Sequence, residues 1–226
     1  MTPGLARRAT AEALGTGFLV MAVVGSGIAA QRLSPDSVGL QLLENTLATV
    51  AMLVAVILAF AAISGAHLNP VVTLAERAAG HIGNHDAGMY MVAQALGACL
   101  GAVIANVMYG LPAVEFSTKA RSGGRLWLAE AIATFGLLLV INGCVRAGRA
   151  GAVPAAVAGW IGAAYWCTSS TSFANPAVTI ARSLSDSFAG IGPASVPAFV
   201  GMQLIGCVIA IFVIRFLMTP PTAAEP

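Results

Sequence analysis

The chain has 226 residues, of which 58% are hydrophobic and 9% charged, against roughly 45–50% and about 25% in ordinary soluble domains. At roughly 20 apolar residues per membrane-crossing helix, this length holds six or seven spans with short loops and leaves nothing over for a separate catalytic domain. Eleven Lys and Arg against nine Asp and Glu give a net charge of +2, with no basic run longer than Arg7-Arg8, so electrostatic recognition of nucleic acid is not expected.

The N-terminus runs from Met1 past Arg7 and Arg8 into an apolar stretch shaped like a secretory signal. It carries Glu12 and lacks a small-residue cleavage site, so it reads as a retained first span. Apolar runs long enough to cross a bilayer lie at about 10–30, 40–62, 87–109, 126–146, 151–168 and 194–218, which gives six candidate spans. The connections are Arg32 to Ser37 with Pro35, a longer loop from Leu111 to Arg125, and a short turn from Arg146 to Gly151. Two further stretches, Ser64 to Asp86 and Ser169 to Gly192, are too polar to be spans and too apolar to be ordinary loops. Cys99, Cys144, Cys167 and Cys207 have no C-x-x-C spacing and read as small core residues. His67, His81 and His85 lack the His/Glu spacing of a metal site, so the sequence implies no metal, no cofactor and no enzymatic chemistry.

The two odd stretches repeat each other. Asn69-Pro70-Val71-Val72-Thr73-Leu74-Ala75 matches Asn175-Pro176-Ala177-Val178-Thr179-Ile180-Ala181, 106 residues later. Ala11-Glu12-Ala13 with Thr16 returns as Ala129-Glu130-Ala131 with Thr134, and Gln94-x-x-Gly97 as Gln203-x-x-Gly206. Residues 1–226 therefore form a single membrane domain of two halves, approximately 1–110 and 126–218, with three spans each. Three is odd, so the second half enters the membrane from the opposite side and the repeats are inverted.

In each box Asn is a favoured N-cap and Pro suits the first helical position. The boxes predict helices from Pro70 to about Ala79 and from Pro176 to about Ser185, each about 15 Å long and so about half the hydrocarbon thickness. Inverted symmetry brings their N-termini together at the midplane, where irregular backbone is tolerated only beside protein or a watery cavity. Asn69 and Asn175, with Val71 and Ala177 beside them, are the expected midplane of a pore. If each Asn oxygen caps its own helix, the amide NH2 is left to donate to a neutral solute, while half-helix dipoles oppose cations. The fold class expected is an all-α membrane protein of six spans and two re-entrant half-helices.

The segment Ser64-Gly65-Ala66-His67-Leu68-Asn69-Pro70-Val71-Val72-Thr73, the second Asn175-Pro176-Ala177 box and the Ala-Glu starts of spans one and four resemble the major intrinsic protein family, the aquaporins and aquaglyceroporins. The resemblance covers nearly the whole chain. It implies a passive channel selecting by pore diameter, lining hydrogen bonds and a positive barrier. It also implies a homotetramer with one pore per subunit and a supporting role under the re-entrant loops for Glu12, Glu130 and His67. The family commonly places Arg three residues after the second Asn, where this chain has Val178. Counting back from the Asn residues carries the rest of the selectivity filter onto Thr49, Ala163 and Ser172, all small, so the filter is expected to be wide. Arg182, one turn beyond Val178, has two readings: a displaced positive ring at the outer mouth, or a surface Arg paired with Asp186, which is the commoner arrangement.

The small filter, the Asn-Pro-Val box and the missing Arg resemble bacterial aquaglyceroporin-like channels associated with arsenic resistance. The solutes implied are glycerol, urea, neutral trivalent arsenic or metalloid hydroxides such as arsenite in its undissociated form, methylated arsenicals, and water. The rival reading is an ion-coupled secondary transporter, since inverted repeats with broken helices also build those. The span acids Glu12, Glu44 and Glu130 have no obvious cationic partner within a span, which favours a passive channel. With the N-terminus inside, six cations (Arg7, Arg8, Arg77, Arg146, Arg149, Arg215) face the cytoplasm and five (Arg32, Lys119, Arg121, Arg125, Arg182) face out. This slight excess orients the termini to the cytoplasm, and the resemblance implies a bacterial inner membrane, with lipid as the surrounding partner.

Overall fold

Helices dominate because the chain is apolar throughout and a membrane offers the backbone no other partner for its N–H and C=O groups. The computed structural model describes residues 3–218. The outer limits of the domain, and the two chain ends assigned to the cytoplasm by charge, lie partly outside the described residues. Among the described residues, six long helices are apolar enough to cross a bilayer: α1 (Leu5–Leu33), α2 (Val38–Ser64), α4 (Asn84–Met108), α5 (Gly124–Arg146), α6 (Val153–Cys167, entered through a 3₁₀ turn at Ala150–Ala152) and α8 (Val196–Met218). Between them lie two short helices, α3 (Pro70–Ala78) and α7 (Pro176–Arg182). At 1.5 Å per residue, nine and seven residues give about 13 and 10 Å, so neither crosses alone.

The half-helix α7 ends earlier than the sequence suggested. Ser183 N bonds Ile180 O (3.1 Å) and Leu184 N bonds Ala181 O (3.0 Å), both i to i−3, so the last turn tightens and stops at Arg182. The long outer loop then crosses this end, with Glu115 N on Leu184 O (3.1 Å) and Ser117 N on Ser183 O (3.0 Å).

The two halves pack alike, α1 along α4 and α5 along α8. Lipid supplies no hydrophobic drive between helices, so close backbone approach does the work. A Cβ on Gly97 would lie 2.0 Å from the Ala13 carbonyl oxygen, and one on Gly206 would lie 2.3 Å from that of Ala131. Both glycines are therefore required by contact, at equivalent places in the inverted repeats. Leu47, Leu58, Leu96, Leu100 and Phe212 are exposed on the outer surface, where an aqueous protein would place polar groups and a membrane protein meets acyl chains.

Candidate functional site

The chain before each half-helix is strained. Gly65, Ala66 and Leu68 sit at φ of 88°, 48° and 52°, and Thr171, Ser172 and Ala174 at 63°, 50° and 48°. For the five non-glycine residues this left-handed conformation costs roughly 1–2 kcal/mol each, so something must hold it. Glu12 accepts from Ser64 Oγ (2.6 Å), His67 N (3.0 Å) and Leu68 N (2.7 Å). Glu130 accepts from Phe173 N (2.9 Å) and Ala174 N (3.0 Å). Both carboxyls are wholly buried, and each gathers loop N–H groups. Gln94 Nε2 donates to Glu12 (2.7 Å) and Thr73 Oγ1 (3.0 Å), and Gln203 Nε2 to Glu130 (2.6 Å) and Thr179 Oγ1 (2.8 Å). Sequence reasoning saw these glutamines as a repeat but gave them no role. His67 adds an Nδ1 contact to Thr73 Oγ1 (3.0 Å) and stacks edge-on against Tyr90.

Asn69 Oδ1 caps α3 through Val71 N (3.0 Å), and Asn175 Oδ1 caps α7 through Ala177 N (3.0 Å) and Val178 N (3.3 Å). The amide groups cross over: Asn69 Nδ2 donates to Ala174 O (2.8 Å), and Asn175 Nδ2 donates to Leu68 O (2.8 Å). One of the two hydrogens on each amide is thus committed to the opposite half, and only the second is free for the lumen. This corrects the expectation that the whole NH2 donates inward.

A cavity of about 490 Å³ runs between the halves. At one end it is bordered by Glu76, Val145 and the turn at Ala150–Pro154. At its waist are Leu68, Asn69, Ala174 and Asn175, and towards the other end Thr49, Tyr165, Ser172, Val178 and Arg182. Val71 and Ala177, placed at the midplane by sequence, are wholly buried and absent from this wall. On a 3.6-residue helix the cavity face passes from each Asn to positions i+3 and i+7, which are Val72 and Glu76 in one half and Val178 and Arg182 in the other. The extra bulk of Val71 sits in the core, where its carbonyl meets Cys207 Sγ (3.5 Å).

Ala163 is a second correction. It is exposed on the outside of α6, whose cavity face is Pro154, Val157, Ile161 and Tyr165. Tyr165, two residues further along α6, lines the cavity where Ala163 was expected. Its hydroxyl lies 3.2 Å from Thr49 Oγ1, which itself donates to Asn45 O (2.8 Å).

Arg182 is 2% exposed, which overturns the surface reading. Its guanidinium lies 3.4 Å from the centroid of the Phe173 ring and its Nε donates to Ala189 O. Asp186 instead accepts from Thr118 N (3.0 Å) and Ser117 Oγ (3.3 Å). The Arg121 guanidinium stacks on the same Phe173 ring at 5.0 Å. No spacing in the sequence links residues 121, 173 and 182, so this cluster was not legible there.

Six apolar spans around a cavity pinched by two capped half-helices define a transmembrane channel. The chain belongs to the major intrinsic protein family, whose sequence profile matches residues 1–168, a stretch that includes the first Asn-Pro box and stops before the second. It is 47% identical over 216 residues to the aquaglyceroporin AqpS of Rhizobium meliloti, covering 96% of this chain and 92% of that one. It is 32% identical over 244 residues to the probable aquaporin AqpM of Archaeoglobus fulgidus, covering 96% and 99%. The crystal structure of the Plasmodium falciparum aquaglyceroporin superposes with a TM-score of 0.72 at 22% identity, over 96% of this chain and 98% of that one. The protein is thus an integral membrane channel for small solutes and not an enzyme.

Proposed function

We propose that this channel passes small uncharged polyhydroxy solutes, with glycerol, urea and undissociated trivalent arsenic hydroxide as its class, along with methylated arsenicals and water. The observation that carries the reading is the ring of Thr49, Tyr165, Ser172 and Val178, into which no guanidinium projects at the level of Val178. Arg182 lies one turn further along, drawn aside onto Phe173 and Ala189 O. Tyr165 makes the ring less open than four small residues would, but its hydroxyl is tied to Thr49 against the wall. The ring is then amphipathic: the Thr49 and Tyr165 oxygens, their hydrogens already given to Asn45 O and Thr49, accept from a solute's hydroxyls, Ser172 Oγ is free to donate, and Val178 meets the hydrocarbon edge. The neutral character of the solute follows from a cavity wall that is mostly apolar, with no ligand set able to replace an ion's hydration. The chain is further proposed to be a homotetramer in a bacterial inner membrane with both termini cytoplasmic, a reading supported by the cation distribution and by its prokaryotic relatives.

Stopped-flow permeability of proteoliposomes to water, glycerol, urea and arsenite, measured side by side, tests the proposal. Glycerol and arsenite should equilibrate well above the protein-free rate, without an ion gradient and without saturation. Water permeability alone, or solute entry that requires a proton or sodium gradient, would overturn it.

A further inference from the structure

The outer mouth gathers three cations, none of which makes a direct ion pair with a carboxylate among the described residues. Lys119 Nζ donates to Phe188 O (2.9 Å), Arg182 Nε to Ala189 O, and Arg121 Nε to Gly190 O (2.9 Å). Three successive carbonyls thus hold the three cations, with Arg121 reaching Phe188 O (3.5 Å) and Ser170 O (3.4 Å) as well. A carbonyl dipole solvates a cation but leaves its charge in place. Among the described residues, the ion pairs Arg8–Asp86, His81–Glu76 and His85–Asp86 involve none of these three. Of the acids on the neighbouring segments, none stands in a direct ion pair with the three: Asp186 accepts from Ser117 and Thr118 and draws on Lys119 only from farther off, and Glu130 accepts from the loop N–H groups. Glu115 is exposed on the outer loop.

The arrangement has direction. Phe173 gathers the Arg121 and Arg182 guanidiniums on one ring. The terminal nitrogens of Arg121 go to Ser170 O and Phe188 O, whereas Arg182, fixed through Nε, presents its two terminal amino groups on the far side as a planar fork and borders the cavity. Ser172 borders it too, and its Oγ is buried without a hydrogen-bond partner. A desolvated fork and an unmet hydroxyl therefore sit on one stretch of wall, under a field from two further cations.

We propose that the outer mouth is a binding site for a small tetrahedral oxyanion. Arg182 supplies the bidentate contact, Ser172 a hydroxyl, and Arg121 and Lys119 the supporting charge. The bound anion plugs the pore and is not carried through it. Below the site the wall is apolar at Leu53, Ile57 and Val72, and nothing there replaces the anion's hydration. Lys119 makes the site pH-sensitive. Burial, with Arg121 and Arg182 adding repulsion against the opposing pull of Asp186, lowers its ammonium to about 8, so rising pH removes one of the three charges.

The test has two arms. In the first, radiolabelled sulfate, which does not titrate near neutrality, is bound to the purified full chain in neutral-lipid nanodiscs. Saturable binding should weaken as salt rises, and Lys119→Gln or Arg182→Gln should each weaken it about three- to tenfold, as expected for loss of one charge at close range. Raising the pH from about 7 to about 9 should weaken binding to the parent protein and leave Lys119→Gln unmoved. If Arg182→Gln does not fold, Lys119→Gln at the rim carries the arm. Binding no greater than to empty nanodiscs, or binding indifferent to salt and to the variants, which is an adventitious ion only, would overturn the site.

In the second arm, external sulfate should slow glycerol influx into spheroplasts that lack their own glycerol channel, relative to chloride of equal ionic strength and osmolarity. Saturable binding with no slowing would overturn the plug. This arm alone rests on the glycerol reading: absence of any glycerol flux would refute that reading while the sulfate titration still decided the site.

Discussion

The crossed amides at the waist give the most exposed prediction. Replacing Asn69 by Asp keeps the oxygen that caps α3 through Val71 N and removes the Nδ2 donor to Ala174 O (2.8 Å). Losing that donor leaves Ala174 O without the partner it has in the parent and sets a carboxylate oxygen against it. An orphaned buried acceptor costs about 1–3 kcal/mol, and a buried carboxylate without a cation adds roughly several more. The N-terminus of α3 recovers about 0.3–2 kcal/mol of this. The residue is 4% exposed, so water cannot recover the rest, and the net loss is about 3–5 kcal/mol. Asn175→Asp should cost a similar amount through Leu68 O, because the two bonds are equivalents. Thermal unfolding in detergent and glycerol influx in proteoliposomes give the two readouts, with Asn69→Ala separating loss of the cap from loss of the crossing. Both Asp variants retaining parental unfolding temperature and full flux would refute the reasoning.

Val178→Arg should bring a guanidinium into the ring, one turn below Arg182, and reduce glycerol flux about tenfold, equivalent to about 1.4 kcal/mol of barrier, with water much less affected; unchanged glycerol-to-water ratios in a folded protein would remove Val178 from the filter. Tyr165→Phe should free Thr49 Oγ1 from its 3.2 Å partner and make the glycerol-to-water ratio fall, since a solute hydroxyl loses one point of contact, and stopped-flow ratios read this directly. Gly97→Ala should prevent assembly, because its new methyl would lie 2.0 Å from Ala13 O; size-exclusion profiles identical to the parent would show that α1 and α4 can separate at little cost.

What the sequence revealed depended on whether the information was repeated. Asn69 and Asn175, and Glu12 and Glu130, were legible because duplication printed each signal twice at fixed spacing. Val71 was misplaced because adjacency to Asn69 in the chain was taken for adjacency in space, whereas the helical period carries the cavity face to Val72. Ala163 was misplaced because counting back from Asn175 assumes a loop of fixed length and says nothing of which face of α6 turns inward, and that face carries Ile161 and Tyr165. Arg182 was read from its own helix, where Asp186 is the visible partner. Its actual neighbours, Phe173 and Ala189, are brought to it by backbone turns on either side of α7, which no helical spacing encodes.

The crossed bonds between Asn69 and Ala174 and between Asn175 and Leu68 have a consequence for biogenesis. Each re-entrant segment finishes its own cap but needs a carbonyl and a donor that the ribosome supplies 106 residues apart in the chain. At about 5–20 residues per second, translation leaves the first segment waiting roughly 5–20 s for its counterpart. During that interval the first three spans can be integrated, and the loop at Ser64–Leu68 has Glu12, with Tyr90 on Ser64 O, to hold its left-handed backbone but lacks the crossing from Asn175. Maturation of the waist is therefore a late, post-insertion step. A nascent chain arrested before Asn175 should show Ser64–Leu68 open to proteolysis or to a cysteine-directed label, and should close only when the second half arrives.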